Sequence, residues 1–163
     1  MLTIDSFLVI RPIVENDFPK LKNYCLPNDQ AIFTSMPENI IEAYKKDHYN
    51  QPYVIYCNNS LVGCFALYTN MHGNFYTTNE HAIVFKSFSI DARYQKRGHA
   101  LNTLKVLPNV IKLTYPDKDE MILTVHHTNI PAISLYKKAR FVDKGLRYEG
   151  DYGEELIFHF GLK

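Results

Sequence analysis

One segment limits the fold of this chain more than any other: a strand, a tight turn and a helix follow one another over residues 82–115. Residues 82–90 form an apolar run of strand length, and residues 98–115 carry apolar side chains at the spacing of one buried helical stripe. A strand that leads through a short turn into a long helix is typical of α/β domains. Because proline removes a backbone donor, we expect a kink or break of this helix at Pro108.

The turn at residues 95–100 has the composition of an anion-binding site. The first amides of a helix have no partner within the helix and carry a partial positive charge, so they can hold a phosphate. Gly98 and Ala100 would let the backbone approach such a group, and Lys96 and Arg97 add positive charge. The alternative is a turn without a ligand, but basic residues are unfavourable in a first helical turn. The turn lacks the Gly-Lys-Ser/Thr ending of a nucleotide P-loop.

Strand and helix signals alternate along the rest of the chain, with no repeat and no linker between them. Two apolar runs joined by Asn58-Asn59-Ser60 predict a hairpin, since Asn tolerates the positive φ of a tight turn. The polar loop 69–80 is long enough to suggest a functional role. This order predicts one mixed α/β domain over residues 1–163. The expected strands are 7–10, 53–57, 61–68, 82–90, 121–125, 141–148 and 156–162, and the expected helices are 15–25, one after Ser35, 98–115 and 131–140.

The composition argues against several classes of protein. Hydrophobic residues make up 46% of the chain and charged residues 21%, which fits a globular core rather than a disordered chain. The net charge of +1 is spread along the sequence, so we expect no nucleic-acid-binding face. Residues 1–5 lack the features of a signal peptide, and no apolar run reaches the roughly 18 residues of a membrane span. We therefore expect a cytoplasmic protein that does not bind membranes.

The three cysteines, Cys25, Cys57 and Cys64, do not have the spacing of a metal site. In a reducing compartment, unpaired and idle thiols are the ordinary state. We therefore expect no metal, and we keep a hydrolase with a catalytic thiol as an alternative.

A second informative segment covers residues 121–141. An apolar strand is followed by Asn129, which is a good helix N-cap, and by Pro131, which is tolerated in a first helical turn. Tyr136 lies two helical turns after Asn129, so we expect both to point to the same side. Taken alone, this segment could be no more than a capped helix with a packed tyrosine.

Together, the two segments resemble the GNAT superfamily of N-acetyltransferases. The pattern Gln95-x-x-Gly98-x-Ala100 after a strand resembles the acetyl-CoA motif of that superfamily, and Asn129-x-x-Ala-x-x-Leu-Tyr136 resembles its second half. Three positions depart from the usual pattern: Ala92 stands where Pro is common, Ala100 replaces a second Gly, and Arg140 stands where Gly is usual.

The resemblance implies a mostly antiparallel twisted sheet of about six to seven strands flanked by about four helices, and acetyl-CoA as co-substrate. The amides of residues 95–100 would hold its diphosphate, and the backbone of Phe88 and Ile90 would pair with the pantetheine arm like an added strand. An amide near Ile90 would also hold the thioester oxygen. Tyr136 would protonate the coenzyme A sulfur, and Asn129 would bond the pantetheine arm or a water. The implied cofactor-binding residues are Phe88, Ser89, Ile90, Gln95, Lys96, Arg97, Gly98, His99, Ala100, Asn129, Ala132 and Tyr136, with Tyr136 and Asn129 also catalytic.

The general base is left open by the sequence. Glu80, His81, Asp91, His126 and His127 are candidates by residue type. Because neighbouring residues of a strand face opposite sides, we expect at most one of the two adjacent histidines to face the site. Many relatives deprotonate the amine through water, so the resemblance does not require a dedicated base.

The acceptor is also open. The whole pattern, including residues 59–68 and 150–155, resembles the bacterial spermine/spermidine acetyltransferase branch. A polyamine requires carboxylates along a groove. Asp29, Glu38, Glu42 and Glu80 could supply them, whereas Lys86 puts a cation where that branch tends to carry acid. Alternatives are another small amine, an aminoglycoside, a protein N-terminus, or a coenzyme A-binding regulatory module without turnover. The family commonly forms homodimers, so a homodimer is compatible with the resemblance.

Overall fold

A computed structural model describes residues 7–163, which form a seven-stranded sheet with helices on both faces. The strand order is β1-β2-β3-β4-β5-β7-β6, and all neighbours are antiparallel except β4 and β5. This confirms the expected mostly antiparallel mixed sheet. The strands are β1 Leu8–Pro12, β2 Asn50–Cys57, β3 Ser60–Tyr68, β4 Ala82–Ile90, β5 Glu120–His126, β6 Val142–Gly150 and β7 Gly153–Gly161.

The helices follow the expected order, with two differences near the start of the chain: the helix expected over 15–25 is shorter, and an unpredicted short helix follows it. They are α1 Phe18–Leu21, α2 Asn28–Ala31, α3 Pro37–Lys46, α4 His99–Thr114 and α5 Ile130–Lys138, and 3₁₀ turns occupy Glu15–Asp17 and Ala92–Tyr94. The segment 1–5, where no signal-peptide features are expected, lies outside the described residues. Within residues 7–163, no helix is long and apolar enough to cross a membrane.

The prediction of one helix over 15–25 is wrong. The chain leaves the helix after Leu21 through bonds of the i→i+3 type, and the amide of Tyr24 donates to the carbonyl of Leu21. Tyr24 is buried, and its hydroxyl donates to the carbonyl of Ser89 on β4 at 2.8 Å. This contact, far away in the sequence, draws the chain onto the sheet and ends the helix early.

The hairpin between β2 and β3 has the turn that the sequence predicts. Asn58 and Asn59 both have positive φ, 49° and 69°. Two consecutive residues with positive φ match the right-handed twist of the flanking strands. The prediction from the Asn-Asn pair is confirmed.

Two large hydrophobic clusters cover the two faces of the sheet, and a smaller third one contains Met71, Ala82, Val84 and Ile122. On one face, here called the α4 face, Phe65, Phe85 and Phe158 pack with Leu104 and Leu107 of α4, and α5 lies on the same side. On the other, here called the α3 face, Val54, Cys64 and Ala66 pack with Ile40 of α3 and Leu21 of α1. The alternation of consecutive residues along each strand produces this division.

Of the kink or break expected at Pro108, the break is absent, because α4 runs without interruption from His99 to Thr114. Pro108 is itself buried, and Leu107 and Ile111 beside it are fully buried. The apolar area that this stripe buries, at about 25 cal/mol per Å², offsets the one backbone bond that proline removes.

Asp17 joins the edge strand β1 to the rest of the sheet. Its buried carboxylate accepts two hydrogen bonds from Arg11 of β1, at 2.7 and 2.8 Å, and others from the amide of Val14 and the hydroxyl of Tyr56 on β2. Burial by itself would raise the pKa of this carboxyl, but the hydrogen bonds from Arg11, Val14 and Tyr56 outweigh it and lower the pKa to about 2.

We expect this carboxylate to make folding pH-dependent in acid. Because the folded pKa lies below the ordinary 3.8, ionised Asp17 stabilises the fold above about pH 4, and this contribution of at most about 2 kcal/mol is lost as the pH falls toward 2. Thermal unfolding of Asp17→Asn between pH 5 and 2 should show a shallower loss of Tm than the wild type. Glu15→Gln, an exposed change in the same turn, should keep the wild-type slope. An unchanged slope in Asp17→Asn would contradict this role.

Candidate functional site

The parallel strands β4 and β5 separate after a short stretch of pairing. They are paired over three residues, from Ala82 with Glu120 to Val84 with Ile122. Beyond that point β4 pairs with β3 as far as Ile90, while β5 pairs with β7 as far as His126. A gap therefore opens between residues 85–90 and residues 123–126; we call it the β4–β5 gap.

The edge of β4 that faces the gap carries backbone groups that are not used by β3. The amide of Asp91 donates to the carbonyl of Val62 at 2.8 Å, so Ile90, one residue earlier, turns its amide and carbonyl to the opposite edge. Ser87, with φ of 58°, lies at a bulge where the register of β4 and β3 shifts. The carbonyl of Phe88 accepts a hydrogen bond from the hydroxyl of Thr34 at 3.3 Å. The gap thus has an edge to which an extended ligand could add as a strand.

The turn that follows β4 exposes the N-terminus of α4. The first bond within the helix runs from the amide of Asn102 to the carbonyl of Gly98, so the amides of residues 99–101 precede it. No side chain among residues 7–163 caps this end, and Gly98 itself has φ of +85°, a conformation that favours glycine. Lys96, Arg97 and Gly98 are exposed, and the Arg97 guanidinium lies 5.6 Å from the centre of the Tyr94 ring. This end of the helix can bind an anion such as a diphosphate.

Gln95 performs a local task that its sequence position does not reveal. Its side-chain amide donates to the carbonyl of Ile90 at 2.7 Å, which holds the turn against the end of β4. The same carboxamide makes a reciprocal pair with Gln30 of α2, at 2.8 and 3.1 Å. Gln30 and Thr34 therefore bring the α2–α3 segment across the edge of the gap, and the sequence analysis missed both residues.

The N-terminus of α5 lies at the same end of the sheet as that of α4, because α5 follows β5 as α4 follows β4. The carboxamide oxygen of Asn129 accepts from the amide of Ala132 at 3.4 Å and so caps α5, as predicted. The ring of Tyr136 packs edge-on against Phe141 and Phe158 on the α4 face, with centroids 5.7 and 6.4 Å away. This burial raises the pKa of the Tyr136 phenol, so the group stays protonated near neutral pH and can act as an acid.

His99, the first residue of α4, has a buried Nδ1 for which the described residues supply no hydrogen-bond partner. Burial, and then the nearby Arg97, lower the pKa of its imidazole.

Ala100 is half-buried, as is Ala132, and Ser89 is buried against Tyr24. The side chain of Ser89 thus faces away from the gap's edge and serves packing.

Asp91, one of the candidate bases, has a structural role instead. Its carboxylate is fully buried and accepts hydrogen bonds from the guanidinium and the amide of Arg93 and from the amide of Cys25. Burial would raise its pKa, but these bonds outweigh the burial and lower it. A carboxylate with all these donors is a poor proton acceptor.

The two adjacent histidines do not behave as the strand alternation predicts. Their ring centroids are 4.6 Å apart, because β5 ends at His126 and His127 is no longer constrained by the pleat. His126 Nε2 donates to the carbonyl of Tyr152 at 2.8 Å, and its Nδ1 lies 2.7 Å from the hydroxyl of Thr128, so both nitrogens are engaged. His127 is exposed.

The remaining candidate bases, Glu80 and His81, precede β4 and lie at the paired end of the β4–β5 ladder rather than at the gap. The acidic candidates for a polyamine groove are all exposed: Asp29 lies on α2, Glu38 and Glu42 lie on α3, and Glu80 precedes β4. Glu42 pairs with Lys45 at 3.2 Å and Glu80 with His72 at 3.4 Å. Lys86 lies on the α3 face of β4, with its ammonium 5.9 Å from the Tyr68 ring centre. Burial lowers the pKa of Lys86.

The three cysteines are free, with Cys57 and Cys64 buried and Cys25 exposed. Burial raises the pKa of the Cys64 thiol to about 11. A thiol with that pKa is not ionised near neutral pH, which argues against Cys64 as the catalytic thiol of a hydrolase.

If Asp91 is structural, its removal should reduce stability. Asp91→Asn is expected to lower the free energy of unfolding by about 1–3 kcal/mol, because it leaves Arg93 and the amide of Cys25 without a charged acceptor. Asp143→Asn removes a comparable but exposed pair with Arg147 and should cost less than about 1 kcal/mol. Urea unfolding curves of both variants test this, and equal costs would contradict it.

Comparisons with known proteins point to one family. The family model described as "Acetyltransferase (GNAT) family" matches residues 18–141. The chain is 35% identical over 145 residues to the uncharacterized N-acetyltransferase YbbJ of Bacillus subtilis (strain 168), over 88% of this chain and 91% of that protein. It is 27% identical over 149 residues to the spermine/spermidine N(1)-acetyltransferase of the same organism, over 91% of this chain and 94% of that protein.

Solved structures share the fold at low sequence identity. Aminoglycoside acetyltransferase AAC(6')-Ib, crystallised with coenzyme A and kanamycin, superposes with a TM-score of 0.78 at 15% identity and 95% coverage of both chains. The spermidine N-acetyltransferase of Vibrio cholerae, crystallised with coenzyme A and spermine, superposes with a TM-score of 0.70 at 19% identity and 95% coverage of both chains.

Proposed function

Because this chain belongs to the GNAT family of acetyltransferases, we propose that residues 1–163 form one domain that transfers the acetyl group of acetyl-CoA to a primary amine of a small acceptor. The observation that carries the proposal is the β4 edge left unpaired in the β4–β5 gap, next to the uncapped N-terminus of α4. The first feature suits an extended amide-bearing arm, and the second suits a diphosphate. Coenzyme A carries both groups in one molecule.

Acetyl-CoA would bind along the gap with its diphosphate at the amides of residues 98–101. Lys96 and Arg97 are exposed at this turn and would add charge, while the backbone of Phe88 and Ile90 would pair with the pantetheine arm. The carbonyl of Phe88 accepts from Thr34 and that of Ile90 accepts from Gln95, so this pairing requires both side chains to move or to share their acceptors. Asn129 would contact the arm or a water through its free amide nitrogen, since its oxygen caps α5.

The reaction would proceed by direct attack of a neutral amine on the thioester carbon. A carbon–nitrogen bond forms, the carbon–sulfur bond breaks, and the departing thiolate takes a proton. Tyr136 would give that proton, because burial keeps its phenol protonated. The amide of Ile90, directed at the gap, would hold the oxygen on which negative charge develops.

The amine would lose its proton to water rather than to a dedicated side chain. Among the five candidate bases, Asp91 is saturated with donors and both nitrogens of His126 are engaged. Glu80 and His81 precede the paired end of β4, and His127 is exposed to solvent. A water-mediated route needs no perturbed base in the gap.

The first test of this function changes the turn before α4. Gly98→Ala forces a residue with a Cβ into a left-handed conformation, so the turn shifts and acetyl-CoA should bind about tenfold more weakly by calorimetry. Gly145→Ala imposes the same strain at φ of +89°, also in open space, but away from the gap, and its affinity should match the wild type. Equal affinities for all three proteins would contradict binding at this turn.

The second test of this function is Tyr136→Phe. It should lower kcat by about 100-fold with an unchanged Kd for acetyl-CoA, since the hydroxyl acts on the leaving group. Wild-type kcat should not decline below pH 10 through ionisation of this phenol, because its pKa is raised. Thiol release with a panel of amines measures kcat and its pH dependence. Tyr152→Phe, at an exposed tyrosine, serves as control. Equal kcat in Tyr136→Phe would remove Tyr136 from the mechanism, and no release with any amine would favour a binding module.

A further inference from the structure

On the α3 face, next to the open end of the β4–β5 gap, the sheet carries a carboxylate that the reaction does not use. Glu155 of β7 pairs in register with His126, the last residue of β5, on one side and with Tyr148 of β6 on the other. The next residue, Leu156, packs in the cluster on the α4 face, so the side chain of Glu155 lies on the α3 face.

Two aromatic rings adjoin this carboxylate. Tyr148 and Tyr76, which comes from the long loop between β3 and β4, meet edge to face with centroids 4.9 Å apart and an interplanar angle of 88°. Burial, then Tyr148, then the charge of Glu155 raise the pKa of Tyr76, which places Glu155 within electrostatic reach of that phenol. Both rings are half-buried.

Glu155 has no cation of its own among residues 7–163. It is half-buried, and no described residue forms a hydrogen bond or an ion pair with its side chain. The preceding Glu154, by contrast, lies 3.9 Å from the guanidinium of Arg147. A Cβ added to Gly150 would overlap the Glu155 carboxylate, so the absence of a side chain at position 150 makes the room that the carboxylate occupies.

A half-buried carboxylate without a counter-ion is unfavourable, and a positively charged ligand would compensate it. Tyrosine rings attract the same kind of ligand through their faces. We therefore propose that Glu155, with Tyr76 and Tyr148, binds a second, positively charged nitrogen of the acceptor. This inference rests on the proposed acetyltransferase function and deepens it: the acceptor is a diamine or polyamine, with one amine at the thioester and another ammonium at Glu155.

The position of the Glu155 carboxylate fits an acceptor with one amine at the thioester and another ammonium at β7. Glu155 lies on the strand next to β5, so it is one strand spacing, about 5 Å, from the strand that borders the gap. A short alkyl chain spans that distance. On the other border of the gap, Lys86 carries positive charge on the same face. Lys86 repels an ammonium and Glu155 attracts it, so the two residues direct the chain of the acceptor toward β7.

The test compares acceptors that differ in their number of amines. Steady-state kinetics are measured with diaminobutane, spermidine and butylamine for the wild type, Glu155→Gln and Glu154→Gln. Glu155→Gln should lower kcat/KM for the two multivalent amines about tenfold or more, through KM, and leave butylamine unchanged. Glu154→Gln, at the neighbouring residue on the opposite face, should resemble the wild type for all three.

Gly150→Ala provides an independent variant that keeps the charge. The added methyl group displaces the Glu155 carboxylate, so the same selective loss is expected, and combining it with Glu155→Gln should add nothing further. Loss of kcat/KM in equal proportion for butylamine and the multivalent amines, or no loss in Glu155→Gln, would overturn the Glu155 site while the proposed function stands. Absence of turnover with every amine would overturn the proposed function and this site with it.

Discussion

The arrangement of the site depends on the short length over which β4 and β5 pair. They are the one parallel pair among the described strands, and their ladder ends at Val84 and Ile122 although both strands continue. Parallel strands end at the same edge of a sheet, so the helices that follow them, α4 and α5, begin side by side there. The open β4 edge and the neighbouring N-termini of α4 and α5 are therefore consequences of one constraint. An ordinary continuous ladder would use up the backbone groups of Phe88 and Ile90 and close the gap.

The two faces of the sheet contribute different chemistry to that gap. The α4 face is apolar and carries Tyr136 against Phe141 and Phe158. The α3 face is polar near the gap, with Lys86 on one border and Glu155 one strand beyond the other. The α2–α3 segment crosses the edge between them through the contacts of Gln30 and Thr34. In the proposed reaction, this arrangement would place the thioester on one face and the acceptor amine on the other, with the two meeting at the gap.

Local patterns predicted the fold well, and contacts between distant residues account for the errors. The Asn58-Asn59 turn, the turn before α4 and the Asn129 cap each depend on the conformational preferences of neighbouring residues, so the sequence reveals them. The early end of α1 depends on Tyr24 reaching Ser89, and the intact helix at Pro108 depends on burial. Asp91 was a candidate base by type, and only its buried donors reveal a structural role. Glu155 lies in the segment 150–155 that carries part of the resemblance, but it was not among the expected groove carboxylates, although alternation along β7 would have put it on the face opposite Leu156.

The central claim is that the β4–β5 gap receives the cofactor arm while the α4 N-terminus holds its diphosphate. A crystal structure of the chain with coenzyme A tests this most directly. The account predicts density for the pantetheine arm alongside residues 88–90, with the diphosphate within hydrogen-bond distance of the amides of residues 98–101. Coenzyme A bound elsewhere, or a complex in which β4 and β5 pair along their full length, would contradict it.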